Sequence, residues 1–147
     1  MENENNKEQV QEPTIPIFGY EIIRDILIPE ILGKNTPDIL YYGGKQLSRK
    51  FPLISQDEFS SFFHEAGWGI LTVLEQKKHE VIYELSGELV SRRISLKSDV
   101  SFKMEAGFLA EQLQLQKKVI TEAAYEIQKR AKTVKIIVRW DDKDSIE

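Results

Sequence analysis

With 147 residues, 41% of them hydrophobic and 30% charged, the chain is long enough for one domain with its own core, too short for two, and too apolar to be disordered throughout. It has no cysteine, which excludes disulfides, thiolate nucleophiles and thiolate metal ligands and suits a reducing cytoplasm; no apolar run is long enough to insert in a membrane or to form a signal peptide. The net charge of −4 is uneven: Glu2, Glu4, Glu8 and Glu12 against Lys7 leave −3 at one end, Asp141, Asp142, Asp144 and Glu147 against Lys143 leave −3 at the other, and the +2 between them is too small for a nucleic-acid surface.

Residues 1–16 read as a disordered tail, polar and held extended by Pro13 and Pro16. From Ile17 to Leu32, Ile22, Ile23, Ile26, Leu27 and Ile31 recur at helical spacing with Glu21, Arg24 and Asp25 opposite, an amphipathic helix that Pro29 must kink or end and Gly33 stops. Thr36, Pro37 and Asp38 start a second helix, with the threonine hydroxyl as cap, and Pro52 ends it near Phe51. Ser55 and Glu58 form a capping box ahead of a third helix that carries Phe59, Phe62, Phe63 and Ala66 on one face and ends at Gly67.

The period then changes to two. Trp68 to Gln76 and His79 to Ser86 read as a hairpin around Lys77 and Lys78, with Val81, Tyr83 and Leu85 facing one way and Glu80 and Glu84 the other. Gly87 to Leu96 reads as a short helix, and Ala106, Leu109, Ala110 and Leu113 align on another. A second hairpin joins Val119 to Gln128 with Thr133 to Trp140. The expectation is a single α+β domain over 17–140, with helices packed on one side of a four-stranded antiparallel sheet of two hairpins, and an acidic tail over 141–147.

The stretch "YYGGKQLSRKF" resembles a phosphate loop in one respect only, two glycines before a lysine. Ile39 stands where such a loop needs its first glycine, Gln46 where it needs a serine or threonine, and the segment ahead of it is helical. Each glycine costs a helix about 1 kcal/mol relative to alanine. The pair Gly43 and Gly44 is therefore read as a place where another backbone comes close.

The segments "FGYEIIRDILIPEILG", "YYGGKQLSRKFPL", "FFHEAGWG", "EAGFLAEQLQLQ" and "VKIIVRWD" resemble the YslB-type bacterial proteins of unknown function (DUF2507) over nearly all of Ile17 to Trp140. These in turn resemble the superfamily of 4-vinyl reductase domains and transport-particle (TRAPP) subunits, which bind ligands on a related fold. The resemblance implies a helix-covered antiparallel sheet, often dimeric through its helices, with a hydrophobic channel in some members, and it implies no known reaction. Some transport-particle members carry an acyl chain on a cysteine. This chain has no cysteine, so only noncovalent binding is open to it.

No catalytic, metal or cofactor constellation emerges. His64 sits alone among aromatics without the motif that accompanies a haem ligand, His79 lies at a turn, Glu80 and Glu84 lie on an outer face, and Glu105 and Glu111 read as surface. The pair Arg92 and Arg93 reads as a solvated face or a contact for acidic partners. The feature with most content is the aromatic set around the glycines, read first as core and then as the lining of an apolar pocket or dimer seam. That site comprises Tyr41, Tyr42, Gly43, Gly44, Leu47, Phe59, Phe63, Trp68 and Gly107, with Arg49 and Lys50 placed to meet an anionic headgroup. The expected function is a cytoplasmic, noncatalytic, homodimeric module that binds a small apolar molecule such as a fatty acyl chain. The alternatives are a ligand-free adaptor for another protein and an enzyme with a polar cleft.

Overall fold

Strand backbones need partner strands for their N–H and C=O groups, and here all four strands find them in one sheet. The computed structural model describes residues 13–97 and 99–146. β1 (Ile70–Lys77) and β2 (Glu80–Ser86) form one antiparallel hairpin, β3 (Val119–Gln128) and β4 (Thr133–Ser145) a second, and β2 pairs with β4, giving the order β1-β2-β4-β3. Val81, Tyr83 and Leu85 of β2 and Val134, Ile136 and Val138 of β4 are buried, while Glu84, Lys135 and Ile137 on the other face are only half-buried. The sheet thus offers one face to the helices.

β4 runs past the expected end at Trp140. Residues 141–145 continue the strand, Ser145 reaches Val119 across a slip in register, and Asp142 meets His79 at 2.9 Å, so this acidic stretch is largely sheet edge rather than tail. At the opposite end, Pro13 to Pro16 have no regular secondary structure, and the rest of the expected N-terminal tail lies outside the described residues.

Five helical segments complete the domain. α1 spans 17–32; over Ile22–Leu27 it widens into π-helical turns, with the Ile28 amide bonded to the Ile23 carbonyl, just ahead of Pro29. A proline cannot continue the regular ladder, and a widened turn is one way for a helix to absorb it. Gly33, at φ +73°, stops the helix. α2 (Thr36–Lys50) follows a single 3-10 turn, and its start differs from expectation: the Thr36 hydroxyl donates back to the Gly33 carbonyl and caps no amide of its own helix.

α3 (Gln56–Glu65) has the full capping box, with Ser55 accepting from the Glu58 amide and Glu58 accepting from the Ser55 amide. It closes in a Schellman motif: the Gly67 amide bonds to the His64 carbonyl, the Trp68 amide to the Phe63 carbonyl, and Gly67 takes φ +75°. α4 (Glu88–Leu96) packs beside β2. α5 (Lys103–Lys117) lies deepest, buried without interruption from Glu105 to Leu113.

α2 and α5 cross at two glycines. A Cβ on Gly44 would collide with the Met104 carbonyl and the Phe108 amide, and one on Gly107 would collide with the Tyr41 carbonyl. The close approach is therefore backbone on backbone, as expected for Gly44. Gly43 has open space where its Cβ would be, so only one glycine of the pair is needed for packing. Ser48, fully buried at the same crossing, donates to the Phe108 carbonyl at 2.7 Å. Below it Phe62 stacks on Phe108 at 4.7 Å, and Trp68 meets Phe63 and Phe108 edge-on at 5.0 and 5.3 Å.

Candidate functional site

α1 sits the opposite way round from a core helix. Its buried residues are Glu21 and Arg24, whereas Ile23 is 55%, Ile26 56% and Ile31 70% exposed. Phe18, Ile22 and Leu27 are exposed as well, and α2 adds exposed Ile39 and Tyr42. The amphipathic face read from the sequence is present and turns outward, and the reading of Glu105 and Arg93 as surface groups is overturned, since both are buried.

What ties α1 down is charge. Arg24 donates to Glu105 at 2.5 Å and to the Tyr20 hydroxyl; Arg93 grips Asp25 through two nitrogens at 2.8 and 2.9 Å; Arg92 reaches Glu21 at 2.7 Å. Glu105 is wholly buried, and its second oxygen lies 3.6 Å from Arg93 Nη1, close enough for an ion pair although neither atom has a hydrogen-bond partner in the described structure. Burial by itself would lower the pKa of the Arg24 guanidinium. The Glu105 carboxylate and Tyr20 more than offset this, and the pKa ends above its ordinary value. A buried network of this kind fixes one arrangement of the helix more than it adds to stability, because each charge also had to leave water.

Between α1 and the start of α5 runs an apolar groove of about 450 Å³. Ile15, Pro16, Gly19, Tyr20, Ile23 and Ile28 form one wall, Trp68 and Met104 the other, with Arg24 at the back. Its volume falls in the range of small-molecule sites, roughly 300–1,000 Å³, and its lining is apolar with few polar groups, as such sites usually are.

Of the residues expected to form a site, Phe59, Phe63 and Trp68 share one core cluster with Tyr41 and Leu47 packed against it, while Tyr42, Arg49 and Lys50 are exposed. Tyr41, Gly44, Leu47 and Gly107 mark the α2–α5 crossing, where Tyr41 keeps its hydroxyl as the acceptor for the Ala123 amide at 3.0 Å; burial raises the pKa of this phenol. Phe59 and Phe63 are core side chains. Tyr42 is 62% exposed on the outer side of α2, and Gly43 faces open space. Arg49 turns onto the buried carboxylate of Glu111 at 2.9 Å, so it serves an internal ion pair, while Lys50 stays exposed. Trp68 alone of the set borders the groove.

The other groove residues carried one legible signal, the apolar stripe of α1 next to a polar stripe rich in ion-pair formers. Glu111 was misread for the same reason as Glu105. Their partners lie about 60 to 80 positions away in sequence, so no local spacing reveals them.

A family model described as "Protein of unknown function (DUF2507)" matches residues 17–139. The chain belongs to this family. It is 42% identical over 139 residues to the Bacillus subtilis (strain 168) protein named "Uncharacterized protein YslB", a match that covers 95% of this chain and 94% of that one. Its fold is similar to that of a crystal structure described as a vinyl-4-reductase family protein from Methanocaldococcus jannaschii, with a TM-score of 0.59 over 90% of this chain and 85% of the other. At 18% identity that likeness establishes the DUF2507 fold and nothing of its chemistry. Among the described residues no helix is long and apolar enough to cross a membrane, and no three His, Cys, Asp or Glu side chains come together as they would around a metal ion.

Proposed function

We propose that this DUF2507 protein is a cytoplasmic, noncatalytic module that holds a small apolar molecule in the groove between α1 and the Trp68–Met104 wall and self-associates through the outer face of α1. The observation that carries the proposal is the outward apolar face of α1. Leaving Ile23, Ile26, Leu27 and Ile31 in water forfeits about 25 cal/mol for every Å² that a partner surface would cover. Exposed patches of contiguous apolar side chains on soluble proteins mark binding or association surfaces.

The buried ionisable groups support a noncatalytic reading. The buried Glu105 and Glu111 are each engaged by arginine; of the histidines, both exposed, His79 is engaged by Asp142 and His64 has no ion-pair partner among the described residues. The chemistry of the groove favours an occupant with a long apolar body, such as a fatty acyl chain, because its lining offers few hydrogen bonds along its length.

Native mass spectrometry of protein purified from cells tests ligand and assembly together. The expected spectrum shows dimer, with an added mass that denaturation releases. Apoprotein with no releasable mass removes the ligand, and a monomer at micromolar concentration removes self-association.

A further inference from the structure

A second cleft opens toward the other end of α5, between α3 and the bulged strand β1. It measures about 190 Å³, below the range of drug-sized sites. Phe59, Val73, Val81 and Leu113 make its walls, and Tyr83 lies among them on the inward face of β2.

Tyr83 is unusual in this setting. Only 2% of the residue is exposed, yet its hydroxyl makes no hydrogen bond to any described residue, in contrast to Tyr41 and Tyr20, whose hydroxyls both have partners. The hydroxyl is not among the fully buried atoms left without a partner, so it opens into the cleft, where water or a ligand can meet it. Burial pushes its pKa up to about 12, which keeps the group a neutral O–H donor at physiological pH.

The bulge in β1 points to the same place. Between Val73 and Glu75 the register slips, so that Val73 stands opposite Tyr83 and Gln76 opposite Val81. Without the slip, alternation would turn Glu75 toward this face; with it, the neutral amide of Gln76 takes that position. Bulges commonly re-aim a side chain beside a binding site. The exposed side chain of Gln76 makes no hydrogen bond to any described residue, and Gln116, at the rim, uses its amide nitrogen on the Leu53 carbonyl. Lys117 completes the rim, its ammonium lying 4.4 Å from the centre of the Trp140 ring.

The cleft therefore has a mixed lining, with Phe59, Val73, Val81 and Leu113 at its base, the Tyr83 hydroxyl opening into it, exposed Gln76 and Lys117 at its mouth, and no acidic residue among the described residues that line it. We infer that it binds a small monocarboxylate with an apolar stem, the stem against Phe59 and Leu113 and the carboxylate accepting from the Tyr83 hydroxyl and the Gln76 amide beside Lys117. This site is separate from the α1 groove and stands whether or not that groove holds a ligand.

Benzoate is a suitable probe, followed by backbone and side-chain NMR of the whole chain. Saturable shifts are expected at Gln76, Tyr83 and Lys117, with benzamide binding more weakly because it lacks the charge. Tyr83→Phe should keep the melting temperature, since no protein hydrogen bond is lost, and weaken benzoate by roughly tenfold or more, the usual worth of a hydrogen bond to a charged acceptor. Lys117→Met, at an exposed position, should weaken it without disturbing the fold. The proposal is overturned if benzoate perturbs no residue of the cleft, if benzamide binds as well, or if both variants bind benzoate like the native chain.

Discussion

α1 and α5 are both helices with a run of apolar residues, yet α5 is buried from Glu105 to Leu113 while α1 buries Glu21 and Arg24 and turns its isoleucines outward. α5 is held by contact. Gly107 brings it onto the backbone of α2, and its aromatic and aliphatic side chains fill the space above the sheet. α1 is held by charge, through three arginines that bridge it to α4 and α5. The difference separates the part of the molecule that makes the fold from the part that faces a partner. Shape complementarity sets the first, and a network of ion pairs orients the second so that its apolar surface remains available.

The largest effect should come from spoiling the contact-held half. Gly44→Leu puts a branched side chain against the Met104 and Phe108 backbones, which cannot move aside without shifting α5. A loss of more than about 3 kcal/mol in urea unfolding is expected, in the upper range for overpacked cores. Gly43→Ala, one position away and facing open space, is the control; it should be neutral or stabilise by up to roughly 1 kcal/mol, the helix preference of alanine over glycine. Equal effects at 43 and 44 would remove the contrast.

An effect of comparable size, but confined to one helix, should follow from breaking the charge-held half at its centre. Glu105→Gln leaves Arg24 buried without its anion and weakens the hold on Arg93. About 3–5 kcal/mol is the usual cost of removing one partner from a buried pair. The loss should be concentrated in α1, so amide exchange there should speed up more than in α5. Uniform loosening of both helices would show that the clasp is part of the common core.

How much of this was legible follows the same division. The strands, the capping box at Ser55 and Glu58, the stop at Gly67 and the packing role of Gly44 could be read because each rests on local chemistry: alternation, a side chain reaching three residues along, a left-handed backbone position, a missing Cβ. The orientation of α1 could not. Periodicity in Ile22, Ile23, Ile26, Leu27 and Ile31 locates an apolar face but says nothing of whether the monomer or a partner covers it. Glu105, Glu111 and Arg93 were misjudged because charged residues are rarely buried, and the partners that make burial tolerable come from distant segments. The aromatic set around the glycines reads first as core, and Phe59 and Phe63 are core; sequence does not separate core from pocket lining, since both are aromatic and apolar, and of that set Trp68 also borders the groove. The slip in β1 that turns Gln76 toward the cleft had no signature in the residues themselves.

Sedimentation of the native chain beside an Ile26→Asp, Ile31→Asp double variant tests most directly whether the outer face of α1 is an association surface. A dimer that becomes a folded monomer, with its unfolding midpoint as a monomer unchanged, is the result expected of side chains that contact little within their own chain. Two species of equal mass would contradict the account, and so would a double variant that fails to fold because those isoleucines belong to the core.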